Sequence, residues 1–195
     1  KSHTPKICFL EKMSHSQEEV ELTRDVNATL IPHGEEFTLG SGEKVTITHR
    51  LGGNFTVMTL QGMYRIAAKD ADALGESVAE NSAKPIKDNS KPASTDEIRE
   101  NLRTVFDPEI PVNVVDLGLI YRIEIEETKD RGRIAFVDLT LTAPGCGMGP
   151  VIAEDVKGKV LELNGIDDAE VEIVWDPPWS QDLISEEGKM ELGLL

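Results

Sequence analysis

The clearest signal in the chain is an alternation of apolar and charged positions in its second half. Leu119, Tyr121, Ile123 and Ile125 are apolar, and Arg122, Glu124 and Glu126 between them are charged. That period of two predicts a half-buried strand. Lys129-Asp130-Arg131-Gly132 turns the chain, and Ala135, Val137, Leu139 and Leu141 supply the inward face of a second strand. On either side the spacing becomes helical. Ser94-Thr95-Asp96-Glu97 has the form of a capping box, a hydroxyl followed three residues later by Glu. Ile98, Leu102, Val105 and Phe106 then form a helical stripe that Asp107-Pro108 ends. Pro150 suits the first turn of a second helix, with Ile152, Val156, Val160 and Leu163 as its stripe and Asn164-Gly165 as its end. Val171, Ile173 and Trp175 predict a third strand, closed by Asp176-Pro177-Pro178. The order helix, strand, strand, helix, strand predicts an α+β class: a two-layer domain with both helices on one face of a mixed sheet.

The first half reads differently. Val45 and Ile47 alternate with Thr46 and Thr48, Phe55 to Leu60 repeats the pattern, and Tyr64-Arg65-Ile66 predicts a last short strand. His33-Gly34 after Thr29-Leu30-Ile31-Pro32, then Gly40-Ser41-Gly42 and Gly52-Gly53-Asn54, mark turns. Close-set short strands predict a small antiparallel sheet or barrel, whose core is too small to stand without its neighbour. Pro, Asn and Ser with almost no large apolar residues mark 76–93 as a linker. The expected organisation is a leader at 1–19, with Met13 as a candidate start, a β-rich domain at 20–75, the linker, and an α+β domain at 94–195.

Composition narrows the function. Acids outnumber bases 36 to 20 in 195 residues, for a formal charge of -16. Phosphate-binding surfaces need clustered Lys and Arg, so neither nucleic acid nor an anionic membrane is an expected partner. No apolar run approaches the roughly 20 residues that cross a bilayer. The only cysteines are Cys8 and Cys146, which excludes a disulfide scaffold and fits a reducing cytoplasm. All four histidines, His3, His15, His33 and His49, fall in the first fifty residues; His33 and His49 read as surface or hydrogen-bonded residues of the β-rich domain.

Cys146 lies in the run Pro144-Gly145-Cys146-Gly147-Met148-Gly149, after a strand and before a helix N-terminus. Unpaired N–H groups and the helix dipole favour an anion there. Gly145, Gly147 and Gly149 would let the backbone approach a ligand closely. The dipole supplies only about 0.3–1 kcal/mol, which moves a thiol by less than about one pKa unit. The loop carries no Lys or Arg to add to it, so its N–H groups or a metal would have to supply the rest. Asp107, Glu109 and Asp116 form a nearby acidic set in the sequence. Carboxylates beside a thiolate could hold iron; equally, Asp107 could serve as a turn residue and Asp116 as a loop cap, and Cys146 as a small filler.

Three stretches together resemble the metal-sulfur cluster biosynthesis domain family: Asp107-Pro108-Glu109-Ile110-Pro111, Val115-Asp116-Leu117-Gly118-Leu119-Ile120-Tyr121, and Leu139-Thr140-Leu141-Thr142-Ala143-Pro144-Gly145-Cys146. The run Gly147-Met148-Gly149-Pro150 and the ending Trp175-Asp176-Pro177-Pro178-Trp179 with Leu192-Gly193-Leu194 are similar to its SufT branch, as are Leu22-Thr23-Arg24-Asp25, Leu30-Ile31-Pro32 and Lys69 to Gly75 upstream. The resemblance implies a cytoplasmic accessory factor in iron-sulfur protein maturation. The family's reactive cysteine falls on Cys146, in a loop with Thr142 and the three glycines, and its acidic motif on Asp107 and Glu109. Iron or a labile iron-sulfur cluster is the implied cargo. The assembly machinery and client apoproteins are the implied partners, with a homodimer allowed. Two alternatives stay open. One is an adaptor that assembles a metalloenzyme or oxygenase complex. The other is an enzyme with Cys146 as nucleophile, disfavoured because the second half has no histidine to serve as its base.

Overall fold

A computed structural model of the protein describes residues 18–76 and 91–194. Most of the expected leader and linker lie outside the described residues. In the second half, α1 (Thr95–Leu102) begins with the expected capping box: the Ser94 hydroxyl accepts from the Glu97 N–H, and the Glu97 carboxylate accepts from the Ser94 N–H. The helix is shorter than its apolar stripe. Arg103, Thr104 and Val105 bond back three residues, to Glu100, Asn101 and Leu102, which tightens and ends the last turn. Val105 is still buried, and Phe106 pairs instead with Asn113 in an isolated bridge.

β7 (Ile120–Thr128) and β8 (Gly132–Leu139) form the antiparallel hairpin, and α2 (Gly149–Leu161) crosses to β9 (Asp168–Ile173), which pairs parallel with β8. Ala135, Val137 and Leu139 meet Ile98 and Leu102 of α1 and Ile152, Val156 and Val160 of α2 in one core. This is the expected two-layer mixed sheet. Its details depart from the pattern in three places. A bulge sets Tyr121 between Ile120, which faces Leu139, and Arg122, which faces Asp138, so Leu119 precedes the strand. Leu163 lies past the end of α2. Trp175 is 45% exposed, because β9 ends at Ile173 and its fully buried position is Ala169.

The chain beyond β9 folds back on the Asp116-Leu117-Gly118 turn, which the apolar pattern did not foretell. The Trp179 indole N–H donates to the Leu117 carbonyl at 2.8 Å, and the Ser185 N–H to the Asp116 carbonyl at 2.8 Å. Ser185 caps α3 (Glu186–Glu191). Gly118 has φ near +69°, and a Cβ there would stand 2.3 Å from the Leu183 carbonyl oxygen; only glycine lets the tail lie this close.

The described residues of the first half form a six-stranded antiparallel sheet of β1 (Glu18–Glu21), β2 (Val26–Ile31), β3 (Glu36–Leu39), β4 (Lys44–Leu51), β5 (Asn54–Met58) and β6 (Met63–Ile66), in the order β1-β4-β5-β6-β2-β3. β1 and β3 lie at its edges, and neither was expected: β1 has a single apolar residue, and the Glu36-Phe37-Thr38-Leu39 alternation of β3 spans only four residues. One face packs Val26, Ile47, Val57 and Ile66 with Leu22, Ala71 and Leu74 into a core closed by a 3-10 helix at Ala68–Leu74. The other face is revealed by β5, where Phe55, Thr56 and Val57 are buried in succession. Consecutive burial along a strand requires cover on both sides. The second cover is the α+β unit: Ile31 is part of its core, and Met63 packs against it. The small sheet packs against its neighbour.

Candidate functional site

The Cys146 loop leaves β8 through Thr140, Leu141 and Thr142. Ala143, Pro144 and Gly145 are exposed, Thr142, Cys146 and Gly147 are half-buried, and Met148 is buried. Cys146 carries a free thiol and packs at the rim of the α+β core. Its carbonyl accepts from the Gly149 N–H at 3.2 Å, and α2 begins there with Pro150 in its first turn. Met148, at the helix cap, supplies no side-chain acceptor.

The three glycines have different reasons to be glycine. Gly145 has φ near +83° and open space where a Cβ would project. A Cβ on Gly149 would stand 2.7 Å from Leu141 Cδ1 and 3.2 Å from Ile173 Cδ1, so Gly149 seats α2 on the sheet. A Cβ on Gly147 would stand 2.0 Å from the His33 carbonyl oxygen, and one on Gly34 2.0 Å from the Gly147 carbonyl oxygen. Two main chains from opposite ends of the sequence therefore touch here, the turn between β2 and β3 and the loop after Cys146. The expectation that all three glycines make way for a ligand is corrected for Gly147 and Gly149, whose space is taken by protein.

The acidic residues separate into two environments. Asp116 Oδ1 and Oδ2 accept from Arg103 Nη1 at 2.6 and 2.7 Å, Oδ2 from Asn113 Nδ2 at 2.6 Å, and Oδ1 from the Ser185 hydroxyl at 2.9 Å. Burial pushes its carboxyl up, but the Asn113, Arg103 and Ser185 donors outweigh that and hold it below the usual range. Asp116 thus ties α1 to the tail. Asp107 is buried, and its Oδ1 accepts only the Glu109 and Ile110 N–H groups, at 2.8 and 3.0 Å. Burial raises its carboxyl above the ordinary value, against the pull of those two donors. Glu109 is exposed, and its carboxyl is raised by partial burial and then by Asp107. Among the described residues neither carboxylate has a cation partner.

Asp107 gives a testable sign. Its folded pKa lies above its unfolded value, so its contribution to stability is fully present below the ordinary carboxylate value of 3.8 and is lost as pH rises through the folded value. Asp107→Asn keeps an acceptor for the two N–H groups and removes the charge. The variant is expected to melt higher than the parent at pH 7, with the gap closing as pH falls toward 4. Thermal melts of both proteins across that range check it; a variant less stable at pH 7 contradicts the account.

The N-terminal sheet also reaches α2 and the Asp107 loop. Thr56 of β5 reaches the Pro108 carbonyl at 3.5 Å. Opposite Thr56 in the β5–β6 register stands Arg65, whose guanidinium pairs with Asp155 on α2. Asn54 reaches the same carboxylate at 3.4 Å. Burial raises the Asp155 carboxyl, and Arg65 offsets part of that. Gly52, in the β4–β5 turn, lies against Thr104 and Phe106, with a Cβ there 2.3 Å from the Thr104 carbonyl oxygen. Sequence reading missed Gly34, Thr56, Arg65 and Asp155; the one local trace was the His33-Gly34 turn signal. Among the described residues no group of three or more His, Cys, Asp and Glu side chains is placed to hold a metal ion. A groove of about 420 Å³, lined by Arg122, Phe136, Asp138, Lys157 and Glu172 among others, approaches the loop only at Pro150.

Residues 95–173, the stretch that holds both loops, match a family described as iron-sulfur cluster assembly protein. A Fe-S protein maturation auxiliary factor of Porphyromonas gingivalis is 44% identical over 102 residues, 51% of this chain and 91% of that relative. The chain belongs to the iron-sulfur cluster assembly protein family. The Fe-S protein maturation auxiliary factor SufT of Staphylococcus aureus is also 44% identical, over 90 residues, 46% of this chain and 98% of its own length. A conserved hypothetical protein of Thermotoga maritima with a solved structure is 32% identical, covering 53% of this chain and 98% of its own, with a TM-score of 0.45. These relatives are matched over nearly their whole length by about half of this chain. The six-stranded sheet lies outside the family match.

Proposed function

We propose that this protein is an accessory factor in iron-sulfur protein maturation and that it acts through Cys146. The observation that carries the reading is the position of this thiol. It is the single cysteine of the family-matched segment, half-buried just after the exposed Ala143-Pro144-Gly145 stretch and before the start of α2. The names of the similar proteins, maturation auxiliary factors, support a role beside the assembly machinery and client apoproteins. They favour an accessory role over an enzymatic one. No histidine follows His49 in the chain, but His33 lies in the turn that touches Gly147, so it is those names, and not a missing base, that speak against an enzyme. The acidic net charge and the sparse cysteines fit work in the cytoplasm.

Iron or a cluster enters this reading as cargo. A conventional cluster takes four thiolates, and the family segment offers one. Two chains would bring two, and the remaining ligands would come from carboxylates such as Asp107 and Glu109, from small thiols or from the partner. Oxygen donors suit iron beside sulfide less well than thiolates do, so the complex should be labile. The purified monomer is expected to carry no chelator-resistant cluster, and any iron to be bridged between chains or lost readily. Anaerobic size-exclusion chromatography, with iron, sulfide and visible absorbance read across the peak, tests this. A monomer holding a stoichiometric, chelator-resistant cluster would overturn it.

A further inference from the structure

The described contacts between the N-terminal sheet and the α+β unit gather around two places, the Cys146 loop with its helix and the loop of Asp107 to Glu109. Pro32, His33 and Gly34 press main chain to main chain on Gly147, one residue from the thiol. Arg65 and Asn54 hold Asp155, on the second turn of the helix that the Cys146 loop begins. Thr56, beside Arg65 in the sheet, reaches Pro108. The Arg65 and Asp155 side chains are 11% and 28% exposed, so the pair is largely withdrawn from water. In such a setting, losing one partner leaves the other uncompensated. Relatives matched over nearly their whole length by half of this chain have little room for a comparable sheet. The sheet is therefore an addition to the part that those relatives share with this chain.

We infer that the N-terminal sheet is a positioning element for Cys146, with Gly34 and Arg65 as its positioning residues. Gly34 holds the loop itself, and Arg65 holds α2 through Asp155, so that thiol exposure is set by how firmly the sheet is docked. This deepens the reading of Cys146 as the working residue and rests on it. The physical claim is narrower than that reading: docking limits access to the sulfur. Gly34→Ala cannot keep the contact, because its Cβ would overlap the Gly147 carbonyl and its φ near +76° disfavours a side chain. Arg65→Ala removes the only guanidinium paired with Asp155 among the described residues. Arg65→Lys retains a charge.

The test uses the full chain with Cys8→Ser, which leaves Cys146 as its single thiol. The readout is the rate at which an aromatic disulfide reagent modifies that thiol under native conditions. Arg65→Ala and Gly34→Ala are each expected to raise the rate roughly tenfold, the factor that corresponds to ~1.4 kcal/mol of lost docking. Arg65→Lys should restore much of the protection. Ile166→Val, a mild core truncation in the α+β unit, should leave the rate near the parent's, which separates docking from general loosening. Should Gly34→Ala fail to fold, Arg65→Ala and Arg65→Lys carry the comparison. Equal rates in the parent and Arg65→Ala, or an equal rise with Ile166→Val, would overturn the inference. The chemical rate does not depend on what Cys146 does in the cell, so a negative result here leaves the proposed function standing, and a failure of that function leaves this measurement valid.

Discussion

Val137→Asp is expected to unfold the α+β unit. Val137 is 1% exposed at the centre of β8, the middle strand, between Ile123 of β7 and Val171 of β9. Its face of the sheet looks into the core shared by both helices. Replacing it removes about 1.5–3 kcal/mol of apolar burial. It also puts a carboxylate into the apolar core that holds Ile98, Leu102, Ile152 and Val156, at a cost of several kcal/mol more. Together these approach the whole stability of an ordinary domain, about 5–15 kcal/mol. The N-terminal sheet should lose its support at the same time, since Ile31 and Met63 rest on this core. Val137→Ala, which leaves only a small void, should cost about 1–3 kcal/mol and stay folded. Circular dichroism melts of the two variants check the contrast. A soluble Val137→Asp protein with unchanged melting would mean that this face of β8 is not the buried one.

That prediction could be written from the sequence, because Ala135, Val137 and Leu139 alternate on a strand buried by both helices and nothing competes with the pattern. The capping box at Ser94 was legible for a similar reason, since every atom it needs lies within four residues. Errors came where apolar residues continued past the end of their element. Val105 and Phe106 extend the stripe of α1 without its helical turn, and Trp175 follows β9 onto an exposed surface. The tail was illegible because its anchors, the Leu117 carbonyl and the Asp116 side chain, act across 62 and 69 residues.

The site was legible as chemistry and not as architecture. A thiol among three glycines before a helix can be read directly. The need for glycine at Gly147 cannot, because the group that fills its space is the main chain of His33, from a separate sheet. Asp116 and Asp107 look alike in sequence as motif carboxylates. In the fold one is neutralised by Arg103 and the other is buried without a cation, so their ionisation moves in opposite directions. Only the packing of α1, the loops and the tail separates them.

The second large effect concerns function rather than folding. Cys146→Ala removes one sulfur from a half-buried loop position, touches no backbone hydrogen bond and leaves Gly145, Gly147 and Gly149 in place. Its effect on stability should be about 1 kcal/mol or less, in the range of ordinary peripheral substitutions. Its effect on maturation should be complete, because no second cysteine of the family segment can replace it. The measurement is the activity of iron-sulfur enzymes in cells lacking the protein, compared after expression of the parent or of Cys146→Ala at matched levels and melting temperatures. Restoration by the parent and none by the variant is the predicted result; full restoration by the variant would contradict the assignment of Cys146 as the working residue.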